Sequence, residues 1–477
     1  MAAAVWLVAM TAASARAGVI SPDLERAMAH RGTHADTAVI VRFADPLDQE
    51  PLVVGDRRVR DNRLAAALQA RAARNRAAVE PLLSAQGAAR RRDLWIINGL
   101  AVTLPAVAVK QLADQAGVAH VELDSFVQGG RSPRAPAMRP PSARPEPPVA
   151  PAAQVGDPVA AMNKAPGWNI TTIHAPELWA LGHTGRGVVV ASMDTGVDLA
   201  HPLLRRQWRG GANSWYDPHG EQPAPHDAMG HGTQAMGIMV GVSALGVAPD
   251  ARWIAAKLYN ADGRARMSDI HLAFQWLMDP DGDLATTDAP DVVNASWALT
   301  GRGPGACIRE FGDDIRALRN AGIAVVFAAG NDGPAARTSS SPGNNPGVMS
   351  VGPVGRDLAV ERQSSRGPSS CDGEIFPRLV APGVNVRTAD LSHGGVASYA
   401  TASGSSLAAP HVAGVLALLA GAFPSASVAD LESALVRGAR DLGESGADNT
   451  FGYGYTDAWA AFKILQDARA SAALSRR

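Results

Sequence analysis

Three segments far apart in this 477-residue chain carry an acid, a base and a nucleophile in the order Asp, His, Ser. They are Val188-Val-Val-Ala-Ser-Met-Asp194-Thr-Gly196, His231-Gly-Thr-Gln-Ala-Met-Gly237 and Gly404-Ser-Ser406-Leu-Ala-Ala-Pro-His411. A fourth, Ala328-Ala-Gly330-Asn331-Asp-Gly333, adds an amide. Acyl transfer at a peptide carbonyl needs a nucleophile, a base to take its proton, a group to orient that base, and donors for the oxyanion. Ser406 supplies the nucleophile and His231 the general base. Asp194 would fix the imidazole tautomer, and the side chain of Asn331 with the backbone N–H of Ser406 would form the oxyanion hole.

Each residue taken alone has a plainer reading. A serine before a helix is by default an N-cap, and Ser403 and Ser405 compete with Ser406 as nucleophile. Histidines are usually structural, and the chain has 12 of them. Asp194 before Thr195-Gly196 could cap a turn, although Asp198 fits that duty better. Asn331 sits in good turn chemistry. Together they are a set that peptide hydrolysis requires.

The elements that must position these groups alternate between strand and helix from about residue 165 on. Segments 187–193, 251–258, 292–296 and 323–329 are nearly continuous apolar strands, with helices expected at 267–278 and 310–320. Apolar strands joined by crossover helices predict an α/β fold with a parallel sheet covered on both faces. Ligands bind such sheets beyond the C-terminal strand ends, where Asp194, Ser296 and Asn331 all fall. Ser406 precedes a small, apolar helix over 407–420, so its hydroxyl lies near a helix N-terminus that favours negative charge. Pro410 is expected in the first turn, where its missing N–H costs nothing.

Residues 36–125 read as a separate α+β module. A strand at 38–43 is followed by a helix over 57–83. Asn98-Gly99 joins strands at 94–97 and 100–104. A helix at 107–115 and a strand at 118–123 complete a β-α-β-β-α-β, ferredoxin-like order. The arginines of the first helix read as a solvated face. Segment 131–151 holds eight prolines and few large apolar side chains, so 128–164 is expected to be an extended linker.

At the N-terminus, an apolar run at 2–10 and Ala15-Arg-Ala17 read as a signal peptide over 1–17 whose cleavage releases Gly18, although a basic leader is missing. A net charge of −1 gives no basic excess for nucleic acid. The longest apolar run, 412–423, is too short to span a membrane and suits a buried helix. Cys307 and Cys371 are the only cysteines. In an exported protein such a pair is readily a disulfide, with two separate buried thiols as the alternative. Asp279-Pro-Asp281-Gly-Asp283 has some look of a calcium loop, but no Glu follows at EF-hand spacing, and a solvated acidic loop is the preferred reading.

Taken together, the four motifs make the chain resemble the subtilases, the subtilisin-like serine peptidases, over about 165–465. The resemblance implies that Ser296-Trp297-Ala298 pairs with an extended substrate backbone and that Ala328-Ala329-Gly330 forms one wall of the P1 pocket. Segments around Cys307 and Cys371 look closest to the bacillopeptidase F-like branch, which supports the disulfide. The module at 36–125 looks like the family's inhibitory propeptide. Ser405, Gln234 and Ala298 depart from the family's usual Thr, His and Gly. None removes a catalytic group, but the Ala298 methyl narrows the cleft.

The expected function is therefore a secreted, bacterial serine endopeptidase, made as a zymogen and autoprocessed, without organic cofactor or resident metal. Its partners would be polypeptide substrates and its own propeptide, with no nucleic acid, no membrane span and a monomeric state. The alternative is a non-catalytic binding protein on the same fold. Ester or lipid hydrolysis is disfavoured, because no Gly-x-Ser-x-Gly elbow or wide apolar lid segment is present.

Overall fold

The computed structural model describes residues 18–32, 34–49, 52, 57–128, 165–299 and 303–475. The expected signal peptide and the expected linker after residue 128 lie outside the described residues. The chain divides into two compact units, residues up to 48 with 67–125, and 49–66 with 126–477.

The N-terminal region comprises β1 (Val19–Ile20), α1 (Pro22–Arg31), β2 (Asp36–Phe43), α2 (Arg57–Ala85), β3 (Ala89–Leu94), β4 (Gly99–Pro105), α3 (Ala106–Ala113) and β5 (Val118–Leu123). Its sheet runs β1-β5-β2-β4-β3. Strands β2 to β5 pair antiparallel in the ferredoxin-like order, and β1 adds parallel to β5 at the edge. Val39, Val41, Leu100, Val102 and Val121 point inward from the strands and meet Leu112 of α3 in the core.

Two details differ from the sequence expectation. The module starts earlier, because Ser21 accepts from the N–H of Leu24 and Pro22 opens α1, a helix start of standard chemistry. The first strand of the hairpin is the arginine-rich β3. Residues 95–97 instead form a single 3₁₀ turn ending at Asn98, which is left-handed at φ 53°. Edge position explains the strand's polarity, since only one side of β3 has a partner.

The larger unit holds β6 (Phe126–Gln128), α4 (Trp168–Thr171), α5 (Ala175–Ala180), β7 (Val189–Asp194), β8 (Trp215–Tyr216), α6 (His231–Val240), β9 (Arg252–Lys257), β10 (Arg264–Arg266) and α7 (Met267–Met278). It continues with β11 (Val292–Ala295), α8 (Gly312–Ala321), β12 (Ala324–Ala328), β13 (Met349–Val354), β14 (Leu379–Pro382), β15 (Val386–His393), β16 (Val396–Ala402), α9 (Ser405–Ala422), α10 (Val428–Gly438) and α11 (Ala458–Ser475).

Seven strands form one sheet in the order β14-β13-β12-β11-β7-β9-β8, and every pairing in it is parallel. All residues of β12 are buried. Successive side chains point to opposite faces, so both faces are covered, as the apolar runs predict. From β7 the chain moves to β8 and β9 on one side and later to β11 on the other, so the order reverses between β7 and β11. Crevices at such reversals, beyond the carboxyl ends of the strands, are where ligands bind in open α/β sheets. Asp194 ends β7 and Ser296 follows β11. Helix α9 is long and apolar enough to cross a membrane, but it packs on α6 and on β11 to β14 and belongs to the core.

Candidate active site

Asp194 is only 2% exposed at the end of β7, and its Oδ1 accepts from His231 Nδ1 at 2.7 Å and from the Thr195 N–H at 2.7 Å. His231 opens α6. The two segments can meet because Gly232 has no side chain. A Cβ there would lie 2.1 Å from the carbonyl oxygen of Gly196 and 3.1 Å from the Asp194 Cβ. With its Nδ1 proton held by Asp194, the imidazole keeps Nε2 as a proton acceptor. Burial pulls the His231 pKa down. The charge and hydrogen bond of Asp194, with the charge of Asp227 behind it, outweigh that effect, and the net shift is upward.

Asp227 is a site residue that the sequence reading missed. Its buried carboxylate accepts from the Met229 and Gly230 N–H groups, from the N–H and hydroxyl of Thr233, and from the Thr195 hydroxyl. The Thr195 hydroxyl in turn accepts from the Gly232 N–H at 2.9 Å. One carboxylate thereby ties the loop before His231, the first turn of α6 and the residue after Asp194 into one unit. Asp198 takes the turn role instead, accepting from the Ala200 N–H and from both the N–H and hydroxyl of Ser392.

Ser406 is the second residue of α9 and is half-buried. The competing serines are engaged elsewhere. The Ser405 hydroxyl is buried, donates to Asn331 Oδ1 at 3.1 Å and accepts from the Gly330 N–H at 3.1 Å. The Ser405 N–H also donates to Asn331 Oδ1, at 3.0 Å. Ser403 accepts from the Asn385 N–H. Two donors on Oδ1 fix the amide of Asn331, which is exposed, and direct its NH₂ away from Ser405. That NH₂ and the Ser406 hydroxyl both approach Gly404. A Cβ added to Gly404 would lie 3.5 Å from Asn331 Nδ2 and 3.6 Å from Ser406 Oγ.

The remaining segments divide between backbone and side-chain work. Ser296, 4% exposed, donates its hydroxyl to the Ser406 carbonyl at 2.8 Å and accepts from Asn294 Nδ2 at 2.9 Å. This corrects the expectation for Pro410. Helix α9 begins at Ser405, so Pro410 lies beyond the first turn, and its absent N–H would have served the Ser406 carbonyl. The Ser296 hydroxyl replaces it. Trp297 turns its indole into an aromatic cluster with Phe274, Phe311 and Phe327, which leaves only its backbone for a substrate. Ala298 is half-buried, and Ala328, Ala329 and Gly330 are buried at the end of β12. Leu407, next to Ser406, packs with Ile238 of α6. His411 is structural. Burial drives its pKa down to about 4, Nδ1–H donates to the Leu407 carbonyl, and Nε2 accepts from Asn169.

Cys307 and Cys371 form a disulfide, the pairing that the resemblance implies. In the acidic loop, Asp279 and Asp281 come together with Asp288 rather than with Asp283, their oxygens within 4.8 Å of one another. Protein donors already serve part of this group. Asp281 accepts from Thr286 and Asp288 from Asn213, while Asp283 accepts from the Ala285 N–H.

Comparison with known proteins agrees with the geometry. The model of the subtilase family matches residues 185–454. Bacillopeptidase F of Bacillus subtilis (strain 168) is 36% identical over 329 residues, covering 63% of this chain but only 22% of its own length. Subtilisin BL of Lederbergia lenta is 35% identical over 298 residues, covering 62% of this chain and 97% of its own length. Subtilisin E of Bacillus subtilis (strain 168) is 29% identical over 392 residues, covering 81% and 86%.

Proposed function

The chain belongs to the subtilase family and is a subtilisin-like serine endopeptidase, and from that premise we propose that Ser406, His231, Asp194 and Asn331 carry its chemistry. His231 Nε2 takes the Ser406 proton as Oγ attacks the scissile carbonyl. The oxyanion receives hydrogen bonds from Asn331 Nδ2 and the Ser406 N–H. His231 then gives its proton to the leaving amine, and an acyl-enzyme remains on Ser406. Water, deprotonated by the same imidazole, releases the acid product. Asp194 stays ionised and stabilises the imidazolium.

The observation that supports this reading is the 2.7 Å bond between His231 Nδ1 and a buried carboxylate, which leaves the opposite ring nitrogen available to accept a proton. Phenylmethylsulfonyl fluoride tests it. Wild type should take up one equivalent on the peptide containing Ser406, and Ser406→Ala none. A folded wild type that stays unlabelled would favour the non-catalytic binding protein. In subtilisin, loss of the Ser or His lowers kcat by roughly 10⁶-fold and loss of the Asn donor by about 10²–10³-fold. Both figures are subtilisin's own, carried over by family membership.

The finer reading is a secreted zymogen. Residues 1–17 direct export, and the α+β module ending at 125 is the inhibitory propeptide. Self-cleavage in the Pro-rich segment yields a mature enzyme beginning between about 128 and 165. This is supported by the separate N-terminal unit and by the composition of 131–151. Expression of wild type and Ser406→Ala in a protease-free host discriminates: equal processing of both would rule out self-cleavage. Substrate backbones would add to the segment Ser296–Ala298, with Ala328–Gly330 beside the P1 side chain. Calcium at the Asp279 loop is not part of the proposal.

A further inference from the structure

Three buried polar atoms on one face of the seven-stranded sheet have no hydrogen-bond partner among the described residues. They are Ser192 Oγ, Asn294 Oδ1 and Asp194 Oδ2, in side chains of residues only 1%, 0% and 2% exposed. Ser192 and Asp194 lie two apart on β7 and therefore share a face. Asn294 of β11 is in register with Ser192, which sets the two side chains next to each other. Asp194 reaches α6 through His231, and Ser296, two residues after Asn294, reaches α9 through Ser406. The three atoms thus lie on the side of the sheet that α6 and α9 cover.

Buried polar groups in folded proteins are paired almost without exception, with protein or with ordered water. Ser192 Oγ and Asn294 Oδ1 are neighbours by register yet do not bond each other. A hydroxyl and an amide oxygen across such a gap suit one buried water, which needs two to four polar partners.

We infer that Ser192 and Asn294 hold a buried water that fixes the amide of Asn294 beneath the proposed nucleophile. The water accepts from the Ser192 hydroxyl and donates to Asn294 Oδ1. Its second hydrogen is left for Asp194 Oδ2. With Oδ1 satisfied in this way, Asn294 Nδ2 stays turned to Ser296 Oγ at 2.9 Å, and the Ser296 hydroxyl donates to the Ser406 carbonyl at 2.8 Å. A flipped amide would set its oxygen against Ser296 Oγ and compete for the proton that the Ser406 carbonyl receives. Ser192 is therefore a positioning residue, acting through the water, Asn294 and Ser296 in turn. The inference rests on the peptidase reading above and adds a support for its nucleophile.

Two substitutions at position 192 separate a water from a packing role. Ser192→Ala leaves room for the water on its acceptors, so kcat should stay within about twofold of wild type. Ser192→Val fills the gap, and kcat should fall about fivefold to tenfold with KM nearly unchanged. Packing alone predicts the reverse order, because valine suits a buried strand and alanine leaves a void. A kcat for Ser192→Val equal to or above that for Ser192→Ala would overturn the inference. A high-resolution crystal structure of the Ser406→Ala chain tests the water directly, whether or not the valine substitution is tolerated. Density for a water about 2.5–3.0 Å from both Ser192 Oγ and Asn294 Oδ1 is expected, and a dry gap would overturn the inference. The same structure keeps the two readings apart. A bound water in a chain whose wild type hydrolyses no peptide would keep the water site and remove the peptidase assignment. A dry gap in a chain whose wild type does hydrolyse would do the opposite.

Discussion

The hydroxyl of Ser296 donates to the Ser406 carbonyl at 2.8 Å, the carbonyl that Pro410, four residues on, has no N–H to serve. A helix with an interior proline would normally lose a hydrogen bond and bend. Here the loss occurs at the proposed nucleophile, and a side chain from the end of β11 closes it. The backbone of Ser406 is thereby tied to the sheet crevice.

Ser296 is therefore expected to act as a positioning residue through Ser406. Ser296→Ala leaves a carbonyl unpaired, which costs about 1–3 kcal/mol and should lower kcat by roughly tenfold with little change in KM. Pro410→Ala restores an N–H at the right place in the helix. The double variant should recover much of the loss, and stopped-flow burst kinetics would show it. Simply additive defects would mean that the bond has no bearing on the nucleophile.

Ser405 has a comparable duty toward Asn331. Its N–H and hydroxyl both hold Asn331 Oδ1, so that the amide cannot flip its NH₂ inward. Ser405→Ala should cost about tenfold in kcat through an amide held by one donor instead of two. Ser405→Thr, which keeps the hydroxyl, should retain most activity. If Ala and Thr behave alike, the orientation of Asn331 is set by the backbone alone.

Asp227 should govern the acid limb of the pH profile. The base must be neutral, and the His231 pKa is raised above the ordinary imidazole value, so kcat/KM should fall as pH drops through a value above about 6.5. Asp227→Asn keeps one of the two oxygen acceptors and removes one of the charges that raise this pKa. Its acid limb should move to lower pH. A limb that stays in place or moves up would contradict the role given to that charge.

The residues legible in the sequence were those whose types are scarce and whose chemistry is shared: Asp194, His231, Asn331 and Ser406. Asp227 was not legible. In the polar run before His231 an aspartate looks like solvated loop, and only folding turns three backbone N–H groups and two hydroxyls onto it. The substrate-pairing expectation for Ser296-Trp297-Ala298 concerns backbone, and the sequence carries no sign that the Trp297 indole packs with Phe274, Phe311 and Phe327. Among fold elements, the buried parallel strands were plain because both faces are apolar. The polar edge strand β3 and the short β1–α1 start had no periodicity to display, although Ser21-Pro22 was a usable helix-start signal.

A final prediction concerns His271, which no catalytic step uses. It is fully buried, its Nδ1 bonded to Asp314 at 2.9 Å and its Nε2 to Glu310 at 2.9 Å, and its ring lies 4.8 Å from that of Phe311. Both nitrogens facing carboxylates require the imidazolium. Burial alone would lower its pKa, but the two carboxylates prevail and raise it to about 9. A group whose folded pKa exceeds its unfolded value of about 6.5 contributes stability that is complete below about pH 6.5 and is lost as pH rises through about 9. The shift corresponds to a contribution on the order of 3 kcal/mol. Urea titrations of the Ser406→Ala chain, which removes self-digestion, should show stability declining across that window. His271→Gln should be less stable at pH 6 and should lack most of the decline, because glutamine has no proton to lose between the two carboxylates. If the His and Gln chains lose stability in parallel from pH 6 to 9, the imidazolium is not what holds α7 to the start of α8.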